Sequence, residues 1–281
     1  MSEWKLLKGE AYGELRGVYA VWLREVKRYI RDRARLVSAV TGPIMWLLLF
    51  GVGVGGFLSQ SGVNYVNFLF PGIVSQSLLF TSIYLGISII WDREFGFLKE
   101  MLVAPIRRIS VFSGKMFGGA TDAFIQGLIV LSLAFVFGIW MDPLVFLACL
   151  MVMILTAFAF VSMSIVIASK IRSLESFSLI MTFINMPLFF SSGAIFPLDR
   201  APGWLQTMGY FNPLTYVVDA LRGLILGHQL VYYNPLTFQY DLLRTLLYGN
   251  HIFPLWLDLA VLVCFAAAMM MLGAYVFGRR K

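Results

Sequence analysis

Residues 144–169 read LVFLACLMVMILTAFAFVSMSIVIAS, 26 positions without a charged side chain, opened by the turn Met141-Asp142-Pro143 and closed by Lys170. An apolar α-helix needs about 20 residues to cross the hydrocarbon core of a bilayer, where its backbone polar groups must be satisfied within the segment. Working outward, five further runs meet that length, at about Leu36–Leu58, Val66–Ile90, Met116–Trp140, Ser176–Ser192 and Leu255–Phe277. The first two carry no charge, and the third and last hold Asp122 and Asp258 near their starts. Composition agrees: of 281 residues 59% are hydrophobic and only 13% charged, about half the charged fraction of a soluble domain. The expected fold is all-α and membrane-embedded, with a segment at 1–35 ahead of a six-span domain at 36–281.

The net charge of +7 suggests nucleic acid only when it forms a soluble basic patch. Here lysine and arginine sit in short hydrophilic segments: nine in 1–35, five in 91–115, two in 170–175 and three in 279–281. Only Arg200, Arg222 and Arg244 fall elsewhere, and the loops 59–65 and 141–143 have none. Six spans put the basic segments on one side, so both termini are expected in the cytoplasm by the positive-inside rule. No cleavable signal peptide is read in the first 35 residues, and the first span is taken as the insertion signal.

Within 14–35, Leu15, Val18, Tyr19, Trp22, Val26, Tyr29 and Ile30 recur at helical spacing, with Arg24, Arg28, Arg31 and Arg35 on another face. This is the pattern of a helix lying at the headgroup boundary, or of a solvated juxtamembrane helix. After span five, Pro197, Pro202, Pro213, Gly203 and Gly209 break the chain. The apolar stretch Leu214–Leu226 has 13 residues, too few to span, which predicts a re-entrant or interfacial helix. Asp219 and Arg222, three apart, are expected to neutralise each other on its face.

Catalytic patterns are missing: no G-x-x-x-x-G-K-[ST], H-E-x-x-H or G-x-S-x-G occurs. The two histidines, His228 and His251, read as solvated or capping, and Cys149 and Cys264 as small apolar residues. No catalytic residue, metal site or cofactor is expected on this chain. Proton-coupled transport usually needs ionisable groups deep in the spans, so an ion-driven secondary transporter is the weaker alternative. The mixed segment Trp91–Arg108, with Trp91, Phe95, Phe97 and Leu98 among charges of both signs, suits a docking element or a plain helical-hairpin cap.

At three places the residues resemble type-2 ABC exporter permeases. Arg93-Glu94-Phe95-Gly96 through Glu100-Met101-Leu102-Val103-Ala104-Pro105-Ile106-Arg107 is similar to that family's R-E-x-G-x-L-E-x-L-L-x-x-P-x-x-R segment. It departs at Lys99-Glu100, where members more often place the acidic residue one position earlier. Ser192-Gly193-Ala194-Ile195-Phe196-Pro197-Leu198 with Pro202-x-Trp204-Leu205, and Asn212-Pro213-Leu214-Thr215-Tyr216-Val217-Val218-Asp219-Ala220-Leu221-Arg222-Gly223, resemble its later motifs. The resemblance covers about residues 14–278. It implies an N-terminal interfacial helix, a coupling helix after span two and a re-entrant pair before span six. It also implies a homo- or heterodimeric pore in the cell membrane, moving a drug, lipid or glycan-lipid. Two copies of a separate ATPase, which would hold ATP and Mg, are implied as partners, together with membrane lipid and not nucleic acid. On this basis Asp92, Arg93, Glu94, Phe97 and Glu100 are the expected ATPase-docking residues. Ser192, Gly193, Phe196, Pro197, Asn212, Pro213, Tyr216, Asp219 and Arg222 are the expected outer gate.

Overall fold

The computed structural model describes residues 3–53, 65–103, 106–171, 173–231 and 252–278. The end of the first expected span at 54–58, Arg244, His251 and the basic tail at 279–281 lie outside the described residues.

Among the described residues the chain forms ten α-helices and no strand. They are α1 (Glu3–Arg31), α2 (Arg33–Trp46), α3 (Tyr65–Glu94), α4 (Phe97–Val103) and α5 (Arg108–Val136). After them come α6 (Pro143–Lys170), α7 (Leu174–Ser191), α8 (Gly203–Phe211), α9 (Pro213–Val231) and α10 (Leu255–Gly278). Six helical stretches are long and apolar enough to cross a membrane: α2 continued to Gly51, α3, α5, α6, α7 and α10. The helix boundaries follow local chemistry. Asp32 caps α2 by accepting from Arg35 N–H, Ser173 caps α7 by accepting from Ser176 N–H, and Pro143 opens α6. Gly96 and Gly138, at φ +83° and +75°, take the left-handed backbone that the turns after α3 and α5 require.

Helices α3, α5 and α6 form the centre of the bundle, with α10 against α6 and α9 inserted between α3, α6 and α10. Of the most apolar window of α3, 72% is buried, against 11% for the span built on α2. Without water there is little hydrophobic drive between spans, so close packing through small residues carries their association. Gly72 of α3 faces the chain at Ala194, where an added Cβ would meet the Ala194 oxygen at 2.6 Å and its Cα at 2.9 Å. Gly86 lies where α3, α6 and α7 meet; its N–H donates to Ser164 Oγ at 3.0 Å, and a Cβ there would strike Phe177 at 2.3 Å.

The third span differs from its sequence expectation. Helix α4 occupies part of 91–115, and α5 begins at Arg108 rather than Met116, which draws Lys115 into the helix. The N-terminal amphipathic stretch also divides, because the chain breaks at Asp32 and Arg33–Arg35 open α2. Helix α2 turns π-helical over Leu47–Val52.

Gly72→Ala is expected to lower stability by about 1–3 kcal/mol, the usual cost of overpacking, because backbone atoms oppose the new methyl. Gly42→Ala, whose Cβ meets nothing within 4 Å, should be neutral or slightly stabilising. Thermal unfolding of the two purified variants in one detergent checks the contrast.

Candidate functional site

Three helices meet in a polar junction. On α1, Val21, Glu25 and Tyr29 fall at four-residue steps and are all buried, so one helical face turns inward. It rests on α5 at Gly114 and Gly118, where an added Cβ would meet Val21 Cβ at 2.7 Å and Glu25 Cβ at 2.6 Å. A small-xxx-small pair on an apolar helix is the usual way two backbones approach closely.

Lys115, with no exposed surface, donates from Nζ to Glu25 Oε1 at 2.9 Å and to Asp92 Oδ2 at 2.5 Å. Arg24 donates to both oxygens of Asp92, at 2.9 and 3.1 Å, a bidentate pair. Arg28 donates to Ser88 Oγ at 3.0 Å, and Ser88 donates to Glu25 Oε2 at 3.2 Å. Buried charge is costly unless paired and hydrogen-bonded, and each charge at this junction has such a partner. Further along α1, Trp22 Nε1 donates to Thr121 at 3.0 Å, while Tyr29 donates to Gln126, whose amide reaches the Ala39 carbonyl of α2 at 2.5 Å. Burial pushes the Tyr29 hydroxyl up to about 12, so it remains a donor. The hydrogen bond to Asp92 raises Arg24 further above its ordinary value.

Glu14 ties α1 to the start of α5: its carboxylate accepts from the Arg107 N–H at 3.0 Å and from the Ser110 hydroxyl. The Ser110 hydroxyl, then the Arg107 N–H, hold its carboxyl below the ordinary 4.5. A lowered carboxyl stabilises the fold above the ordinary value, and that contribution is lost as pH falls through the lowered one.

The expected docking residues divide. Asp92 is only 2% exposed and belongs to the ion junction, so it offers no surface to a partner. Arg93 donates to the carbonyls of Ile171 at 2.7 Å and Ala168 at 3.2 Å, closing the end of α6. Glu94 before the Gly96 turn and Phe97 and Glu100 after it are exposed, as are Phe95 and Val103. Leu98 is the buried anchor of α4, and the Arg24 guanidinium lies 5.6 Å from the Phe97 ring centre.

The expected gate residues gather at the junction of α3, α7, α8 and α9. Asn212 donates to the Leu188 carbonyl at 2.6 Å and accepts from Leu214 N–H at 2.9 Å, joining the end of α7 to the start of α9 at Pro213. Ser192 donates to the Phe189 carbonyl at 2.7 Å, and Gly193 turns the chain at φ +73°. Phe196 is half-buried and Pro197 exposed, ahead of the short 3₁₀ turn Leu198–Arg200. Tyr216 donates to the Tyr210 carbonyl at 2.7 Å. Asp219 and Arg222 each also reach beyond their own helix. Arg222 donates to the Gly193 carbonyl at 2.8 Å and lies 3.9 Å from the centre of the Phe68 ring, whereas Asp219 accepts from Ile252 and Phe253 N–H at 3.1 and 2.9 Å. Both stitch separate segments together. Helix α9 runs 19 residues, longer than the 13-residue apolar stretch suggested.

Sequence reasoning missed Glu25, Lys115, Gly114 and Gly118. The Gly114-x-x-x-Gly118 spacing was a usable signal, but counting Lys115 in the hydrophilic segment 91–115 hid it. Lys115, Asp92, Asp122 and Asp258 are all buried within helices.

Comparison with known proteins adds an independent line. Residues 16–226 match the family described as ABC-2 type transporter. The chain is 33% identical over 199 residues to Putative transport permease ycf38 of Cyanophora paradoxa, covering 67% of each protein. It is 30% identical over 218 residues to Nodulation protein J of Rhizobium leguminosarum bv. trifolii, covering 75% of this chain and 82% of that protein. To Inner membrane transport permease YadH of Escherichia coli (strain K12) it is 25% identical over 213 residues, covering 74% and 82%.

Lys115→Met should cost about 3–5 kcal/mol, the usual penalty for breaking a buried pair from one side. The double variant Lys115→Met with Glu25→Gln should recover part of that loss, since Arg24 still serves Asp92. Melting temperatures of the three proteins by size-exclusion fluorescence measure both effects.

Proposed function

The chain belongs to the ABC-2 type transporter family, as the membrane subunit served by a separate ATPase, and from that premise we propose that it is the permease of an exporter. In this reading two permease protomers, identical or different, pair with two ATPase subunits that hold ATP and Mg. The cargo is a hydrophobic or amphipathic molecule such as a drug, lipid or glycan-lipid. Both termini face the cytoplasm, as the distribution of lysine and arginine suggests. Helix α1 lies at the membrane boundary, α4 is the coupling helix, and α8 with the start of α9 forms the re-entrant pair at the outer exit. This family reading displaces the ion-gradient alternative.

The observation that carries the mechanism is the linkage between α4 and the spans. The exposed face with Glu94, Phe97 and Glu100 continues directly from α3 through the Gly96 turn. Arg24 touches both Phe97 and Asp92, and Asp92 is bound to Lys115 of α5. A push on α4 from a closing ATPase pair therefore reaches α1, α3 and α5 together. A nucleotide state shifts the permease only as far as it contacts the two arrangements differently, and α4 is the contact proposed to differ. At the far end, Arg222, Asp219 and Asn212 hold the exit segments in register and do not touch cargo.

Phe97→Ala combined with Glu100→Lys should weaken ATPase capture by roughly thirtyfold, as truncation of an interface anchor costs about 2 kcal/mol or more. Glu94→Arg should lower permease-stimulated ATP hydrolysis in reconstituted vesicles. The melting temperature of each variant should stay near that of the parent. Full stimulation and capture by both variants would remove α4 from the docking role.

A further inference from the structure

We propose that the crevice between α2 and the α3–α5 pair binds an amphiphile with an uncharged, hydroxyl- or amide-bearing head and an apolar tail. That this amphiphile is cargo rests on the exporter reading; that it binds here does not.

The crevice has two adjoining chambers of about 210 and 110 Å³, which share Tyr29, Arg35 and Tyr84 as lining residues. The larger is walled by Trp46 and Pro43 of α2 and Phe80 of α3, an apolar surface suited to a tail. Gln76 also lines it: the residue is 4% exposed, and its amide has no hydrogen-bond partner among the described residues. An amide that faces the chamber without a protein partner is free to hydrogen-bond a ligand group that enters it. In the smaller chamber Asp122 repeats the situation, 4% exposed with Oδ1 unpaired. An amide and a carboxylate oxygen together ask for hydroxyl or N–H donors and a carbonyl or hydroxyl acceptor.

The charges around the crevice are already engaged. Glu25 is held by Lys115, Arg28 lies 3.6 Å from Asp92, and Arg35 lies 4.0 Å from Asp122. Arg35 is also sandwiched at 4.8 and 4.6 Å from the rings of Tyr29 and Tyr84. An ionic head would have to break one of these pairs to gain another, whereas a neutral polar head takes up only what is unused. Helix α2 has no buried residue of its own and forms the outer wall of the crevice. Gly42 lines the larger chamber from α2, and a Cβ there meets nothing within 4 Å, so a methyl is accommodated while a larger side chain competes with a ligand for the space.

The test uses the full chain with its ATPase partner in lipid nanodiscs and dodecyl maltoside carrying bromines on its alkyl chain. Bromine quenches tryptophan at short range, and the Trp46 share of the signal is taken by difference from Trp46→Phe. Saturable quenching of Trp46 is expected, with affinity at least tenfold weaker in Gly42→Leu and in Gln76→Leu and unchanged in Gly42→Ala. Quenching that rises without saturation, equally in all four proteins, would overturn the site. Equal displacement of the probe by dodecanoate and dodecyltrimethylammonium would overturn the uncharged-head assignment. Saturable binding without ATP-driven movement of the probe would count against the exporter reading and leave the site standing. ATP-driven movement without saturable Trp46 quenching would sink the site and leave the exporter reading intact.

Discussion

Lys115 is enclosed on every side, and its ammonium group reaches one carboxylate on α1 and another at the end of α3. An isolated ammonium in that place would be costly, and so would either carboxylate alone. Only the assembled trio, completed by Arg24, is tolerable, and assembling it requires three separate helices to be in place. The junction thus acts as a condition on the fold: α1, α3 and α5 either meet in this register or leave charge buried and unpaired. The Trp22, Tyr29 and Glu14 contacts follow along the same face of α1.

Close approach makes that condition possible. Glu25 reaches Lys115 because Gly118 lets the α1 backbone settle onto α5, and Gly114 does the same one turn earlier. The same device recurs at the other end, where Gly72 allows the turn at Ala194 to lie against α3 and presents its neighbours' carbonyls to Arg222. Between these two pinned ends the central helices are packed by apolar side chains, while α2 is left on the outside. The bundle thus has a closely packed centre, polar fastenings at each end and one outlying wall.

Fold class and the approximate places of the six spans were legible in the sequence because both depend on local, additive quantities. A run of about 20 uncharged residues speaks for itself, and so do the proline and glycine breaks before α9. The motif segments at 93–107, 192–205 and 212–223 pointed correctly to the family. Legibility stopped where one residue's meaning depends on distant ones. Lys115 in sequence is a charge at the edge of a hydrophilic segment, and Asp92 is a surface candidate beside it. Their true state depends on Glu25 and Arg24, some 90 and 68 positions away. Asp219 and Arg222 illustrate the same limit: their three-residue spacing could be read in sequence, but the backbone groups of other segments that each side chain also holds could not.

The sequence by itself determined that the chain enters the membrane, how many times it is able to cross, and to which family its motifs belong. Hydropathy, charge placement and short spacing survive without any knowledge of neighbours. Tertiary structure alone decided which charges are buried partners and which remain exposed, which glycines are seats for another helix, and where a crevice with unused polar groups opens. Those properties are set by the desolvation of groups brought together from separate helices, and no window of sequence contains that information.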